Sequence, residues 1–193
     1  MAKTRSGPGR TPYNRRGNNA DHKKNIENGL YVHSSPPQVV NGNQGIGSAK
    51  IREYIRSANV EALEDVVLNG QGSKLVNQHA TDPKVRSFLK IVPSYMSKID
   101  LVHDSVEKGN LRDLKALLDR RKLSRSKDQQ GVGLLHKAVL HGHKSIVDYL
   151  IADYPETLDV TDNDGRTAHH YCAASKFPDE MYSTVSESVS DGQ

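Results

Sequence analysis

The chain repeats itself at an interval of 33 residues, and no other feature narrows its possible folds as far. Val102 to Asp119 lies over Leu135 to Ala152 without a gap, so that His103 falls on His136, Gly109 on Gly142, Leu114 on Val147 and Leu117 on Leu150. A further shift of 34 carries Asp128, Gly131, His136 and Ala138 onto Asp162, Gly165, His170 and Cys172. In the other direction, Ser57 to Gly70 lies over the same pattern 51 residues ahead of it, one period plus an 18-residue insertion. Four units result.

Within each unit the apolar residues are spaced for short helices. Ile51, Tyr54, Ile55 and Ala58, then Leu63, Val66 and Val67, recur at three and four, which is one face of a helix, a break near Asn59, and a second helix. A single helix pair leaves that face in water, and stacking neighbours removes it, so about three units are the minimum for a stable array. The expected fold is an all-α solenoid with repeats near 51–70, 98–127, 128–161 and 162–185. Residues 71–97 form an insertion with a short helix around Val85 to Val92, and 186–193 a polar C-terminal tail. Lys98 stands where the second unit needs a turn glycine, and Pro93 precedes it, so an irregular or helical entry replaces that turn.

Residues 1–50 read differently. They are rich in Gly, Asn, Arg, Pro and Ser, with few apolar anchors, and such a segment cannot offset about 1–2 kcal/mol of chain entropy per ordered residue. A disordered tail is expected. It also holds the chain's whole positive excess: eight Lys/Arg against two acids, while residues 51–193 hold 19 against 21. Weak, salt-sensitive polyanion contact is therefore open only to the tail, through Arg5, Arg10, Arg15, Arg16, Lys23 and Lys24.

Several classes drop out. No apolar run exceeds four residues, so neither a membrane span nor a secretory signal is expected. Ala2 excludes N-myristoylation. Cys172 is the single cysteine, which fits a reducing compartment, cytoplasmic or nuclear.

These residues resemble the ankyrin repeat, whose pattern runs D-x-x-G-x-T-P-L-H-x-A and then G-H-x-x-I-V-x-x-L-L. Asp128 to Ile151, DQQGVGLLHKAVLHGHKSIVDYLI, matches both halves, and Asp162 to Ala174, DNDGRTAHHYCAA, matches the first. The resemblance covers residues 51 to 185. It implies structural roles for Gly131 and Gly165 in finger-like turns, Gly142 between helices, Thr167 as a helix cap, Ala138 in the stack, and His136 and His170 bonded to neighbouring backbone. Gly133 takes the cap position in the third unit and caps less well. In the fourth unit His169, Ala168 and Lys176 depart from the pattern, and its second helix must come from the polar run DEMYSTVSESV. That run reads as a polar cap or as the interruption of a longer array, the latter favoured by the loss of pattern after Ala174.

The resemblance also implies which positions face a partner: Gln129, Gln130, Val132, Leu140 and His141 in the third unit, and Asn163, Asp164, Arg166 and Ser175 in the fourth. Leu134, Leu135, Ala138, Ile146, Val147, Leu150 and Ile151 carry the stack. The loop DRRKLSRSKD (119–128) adds Arg125 and Lys127 as cations for an acidic partner, and Arg121-x-x-Ser124 suits a basophilic kinase, with Ser124 as the phosphosite. A solvated, charge-bearing loop is the plainer reading of that stretch.

Other chemistry finds little footing. His136, His141, His143, His169, His170 and Cys172 lack the Cys/His spacing of a zinc site. Counting the Asp162 turn as a calcium loop puts Val160 and Tyr171 where carboxylates are required. GNQGIG (42–47) and GQGSK (70–74) lack phosphate-loop spacing. No metal, cofactor or catalytic residue is expected. The expectation is a monomeric, non-catalytic adaptor that binds one or more proteins, with polyanion binding by the tail as the alternative.

Overall fold

A computed structural model describes residues 45–190 of the chain, all within the second of its two units, residues 40–193. The expected tail to residue 44, with its arginines and lysines, lies outside the described residues. Eight α-helices follow in order: α1 Ser48–Arg56, α2 Val60–Val66, α3 Pro83–Glu107, α4 Leu111–Leu117, α5 Leu134–His141, α6 Lys144–Asp153, α7 Ala168–Tyr171 and α8 Pro178–Ser190. Among the described residues there is no strand, only an isolated bridge between Lys127 and Gly133. The helices form four antiparallel pairs. α3, α5 and α7 pack side by side in one row, and α6 packs on α8 in the other.

The hinge inside each pair is the same object three times. The N–H groups of Asn59, Asn110 and His143 donate to the carbonyls of Tyr54, Ser105 and Ala138, five residues back, at 3.0, 2.8 and 2.9 Å. This closure places the residue before each donor in the left-handed region. Gly109 and Gly142 stand there with φ +71° and +70°, whereas the first pair has Ala58 at φ 52°, which costs about 1–2 kcal/mol. Asn59 and Asn110 then cap α2 and α4 by accepting from the Ala62 and Asp113 N–H groups at 3.0 and 3.2 Å. The fourth pair has Lys176 in the glycine slot and abandons the turn. α7 tightens into a 3-10 segment, Cys172–Ala174, and the chain leaves extended at Ser175 before Pro178 opens α8.

Three boundaries differ from the sequence expectation. α1 begins at Ser48, three residues before Ile51, and α8 runs past residue 185 to Ser190. α3 is one 25-residue helix where a short helix at 85–92 and a break before residue 98 were expected. Asp82 caps it through the Lys84 and Val85 N–H groups at 2.8 and 3.1 Å, with Pro83 in the first turn, the position proline tolerates best. Val85, Phe88, Val92, Tyr95, Ile99, Val102 and Val106 are all buried and recur at alternating steps of three and four. Burying that stripe outweighs the hydrogen bond Pro93 removes, and Pro93 itself is exposed. The second unit's finger is thereby replaced by helix.

The core is continuous through all four pairs. Leu63, Val85, Val102, Leu114, Leu134, Leu135, Val147, Leu150 and Met181 are at most 1% exposed, and Ile151 packs against them partly buried. Polar side chains share this interior, His103, Ser126 and His136 among them. His103 and Ser126 meet at 3.3 Å between Nε2 and Oγ, and His136 donates from Nε2 to the Arg166 carbonyl at 2.8 Å. Burial, and then the Lys137 ammonium nearby, pushes His103 down to about 4; Asp128 and Glu107 oppose the shift. Burial lowers His136 as well.

Leu150→Ala is expected to lose about 2–5 kcal/mol of unfolding free energy in urea, because the stack cannot collapse fully onto the void. Ala58→Gly is expected to gain about 1 kcal/mol in the same assay by relieving the left-handed backbone. The buried histidines set an acid slope. The unfolded chain takes up protons from pH 6.5 downward while folded His103 stays neutral until about 4, so stability present above pH 6.5 is lost as pH falls through that window. The loss for His103 is on the order of 3 kcal/mol. Urea titrations at pH 7, 6 and 5 are expected to show it, with a shallower slope in His103→Gln.

Candidate interaction surface

Two fingers are built to one plan. Asp128 donates its N–H to the Val132 carbonyl, and its carboxylate accepts from the Gln130 and Val132 N–H groups at 2.9 and 2.8 Å. Asp162 repeats this with Arg166, Asp164 and Arg166, at 2.8 and 2.9 Å for the carboxylate bonds. Each turn closes through a left-handed glycine, Gly131 at φ 82° and Gly165 at φ 79°. Burial alone would raise both aspartates. Tyr171 and Arg166 hold Asp162 at about 2 instead, and Lys137 with the Val132 N–H lowers Asp128. Tyr171 is in turn pushed up to about 12 by burial and by Asp162.

The fingers stack tip on tip, with Asn163 Nδ2 donating to the Gln130 carbonyl at 2.7 Å. On the other side of the first finger, where a second-unit finger is missing, the turn leaving α2 takes its place. Lys127 N–H donates to the Leu68 carbonyl at 2.7 Å. Gly70, at φ 74°, comes so close that a Cβ there would sit 1.9 Å from the Asp128 carbonyl oxygen. A ridge of three turns results. Behind it Lys137 of α5 bridges Asp128 at 2.9 Å and Glu107 of α3, and those carboxylates raise the Lys137 pKa although burial opposes it.

Most of the basic loop is spent on folding. Arg120 and Lys122 pair with Glu64, Lys122 also with Glu61, and Arg121 with Glu156. These acids lie 35 to 61 residues away in sequence. Arg125 is exposed and Lys127 half-buried, and neither has a carboxylate in ion-pair contact among the described residues.

The expected partner positions divide. Gln129, Gln130 and Asp164 are exposed at the fingertips; Val132, Leu140, His141 and Asn163 are half-buried along the same side. Arg166 is exposed, but its guanidinium holds Asp162 and Asp164 and lies over the Tyr171 ring. Two assignments need correction. Ser175 is buried and donates to the Val139 carbonyl at 2.6 Å; it anchors the irregular fourth pair, and its side chain does not face a partner. Ser124 is 1% exposed and donates to the Arg121 carbonyl at 2.7 Å, so a kinase cannot reach it in this fold.

Of the structural positions, Gly131, Gly142 and Gly165 have positive φ and Ala138 is fully buried. Thr167 donates its N–H to His170 Nδ1 at 3.2 Å, with its hydroxyl 3.1 Å from the same nitrogen. The Lys137 bridge and the His103–Ser126 pair were not foreseen. That pair is sealed in the core and meets no cleft. Among the described residues no three His, Cys, Asp or Glu side chains converge as metal ligands, and no helix is long and apolar enough to cross a membrane.

Residues 102–183 match the family model for ankyrin repeats in three copies. An ankyrin repeat protein of Fowlpox virus (strain NVSL) is 37% identical over 62 residues, which is 32% of this chain and 43% of the viral protein. No solved structure matches the chain. Repeats of this kind generally mediate protein–protein interaction and are typically non-enzymatic. The matched pattern, the paired Asp-Gly fingers and the stacked helix pairs agree: residues 102–183 of this chain have the sequence pattern and the architecture of ankyrin repeats.

Proposed function

We propose that the chain is a non-catalytic adaptor that binds a protein partner along the finger ridge and α5. The observation that carries this is the division of labour within the fingers. Their carboxylates and backbone are committed to the fold, while the side chains of Gln129 and Gln130 project without an internal partner among the described residues. Leu140 and His141, at the C-terminal end of α5, are half-buried, and His141 is stacked against His143 at 5.9 Å between ring centroids. A rigid ridge with uncommitted polar tips loses little conformational freedom when it docks. The single cysteine supports a cytoplasmic or nuclear setting for a monomer as part of the same proposal.

Affinity capture from cell extract with the full chain as bait, set beside the double variant Gln129→Ala/Gln130→Ala, tests the reading. The variant is expected to unfold within about 0.5 kcal/mol of wild type and to bind the captured protein at least tenfold more weakly, about 1.4 kcal/mol. Equal binding by wild type and variant, together with equal binding by Leu140→Ala and His141→Ala, would remove the ridge as the contact surface.

A further inference from the structure

Because the turn leaving α2 stands in for a finger, a cleft opens that a regular stack would close. It occupies about 330 Å³ between Asp65 and Asn69 on one wall and Arg125, Lys127, Asp159 and Thr161 on the other. Past Asn69 and Lys127 it continues into a second hollow of about 270 Å³, reaching Tyr54, Ile46 and Asn163. Both cations on its wall stand apart from the rest of their loop. Arg120, Arg121 and Lys122 each have a carboxylate within 3.3 Å, and Arg125 and Lys127 have none among the described residues. Asp162, the acid that most favours the Lys127 charge, is already engaged by Arg166 and Tyr171. Lys127 is half-buried, so much of its desolvation has occurred without a counter-charge, a cost that a docking carboxylate would recover.

We propose that this cleft receives a segment of a partner protein that presents one Asp or Glu side chain to Lys127 and Arg125. The proposal rests on the adaptor reading and names the chemistry of its partner. Two exposed carboxylates, Asp65 and Asp159, flank the cations and carry no ion pair among the described residues. They repel a continuous polyanion and favour Lys or Arg beside the single acid, so a nucleic-acid backbone is a poor occupant. Toward the second hollow, Asn69 and Asn163 each give one amide N–H to the fold, to the Asp65 and Gln130 carbonyls, which leaves their amide oxygens to accept from a peptide main chain, and Tyr54 and Ile46 supply an apolar floor.

The test is a phage-displayed random dodecapeptide library panned on the immobilised full chain, with enriched peptides synthesised and titrated by fluorescence anisotropy. Enriched peptides are expected to share one acidic residue with basic neighbours. Replacing that residue by Gln, or introducing Arg125→Gln or Lys127→Gln, is expected to weaken binding at least tenfold, and the peptide and protein changes are expected not to add. Lys90→Gln, on the exposed side of α3, is expected to leave binding unchanged. The Arg125 side chain makes no hydrogen bond or ion pair among the described residues, so its variant decides the matter if Lys127→Gln unfolds. Peptides that bind both cleft variants as well as wild type but lose affinity in Gln129→Ala/Gln130→Ala would overturn the cleft and leave the ridge standing. A library that enriches nothing would count against both. Displacement of the peptide by a 12-nucleotide oligouridylate at equal or lower concentration would overturn the choice of partner.

Discussion

No helix pair in this chain covers its own apolar side, and every other feature of the structure follows from that shortage. α5 is the clearest instance. Leu134, Leu135, Ala138 and Val139 are all buried, and eight residues of helix present too many apolar side chains for the α6 face alone, so α3 and α7 close on the two open sides. Stability is then a property of neighbours. Among the α8 side chains that are described, Met181 and Val185 are the buried ones, which is why a run as polar as DEMYSTVSESV still lies down as a helix.

The connections answer a second need, since turns that hold stacked layers must be rigid and internally satisfied. Asp128 and Asp162 do this by accepting two backbone N–H groups each, and the buried His136 ties one finger to the next through the Arg166 carbonyl. The proposed binding surface is a by-product of this arrangement. A finger whose aspartate and glycine are consumed in holding its shape has only its tip residues left to face outward, and those tips can vary without disturbing the stack.

The departure from regularity is where the proposed specificity enters. α3 absorbs the second finger because its apolar stripe runs unbroken from Val85 to Val106, and the turn at Asn69 and Gly70 fills the gap against Asp128. The substitute does not fill it completely, and the remaining space is lined by Arg125 and Lys127, two cations of the otherwise paired basic loop that have no carboxylate partner among the described residues.

Much of this was legible in the order of residues alone. The 33-residue period, the turn glycines and the histidine positions are local chemistry, because a left-handed turn selects glycine and a buried helix face selects apolar spacing wherever they occur. The α3 stripe is written there too, in its steps of three and four and in the Asp82-Pro83 start, but Pro93 and the missing glycine at Lys98 are local signals of a break that the buried stripe overrides. What only the tertiary structure decided is which charges remain free and which serines remain reachable. Arg121 and Lys122 look no different from Arg125 in sequence, and they are neutralised by Glu156, Glu61 and Glu64 from distant segments. Ser124 and Ser175 are buried by the same long-range packing. Spacing along the chain records the periodic demands of helices and turns, but the pairing of a charge depends on distances in space that no local pattern encodes.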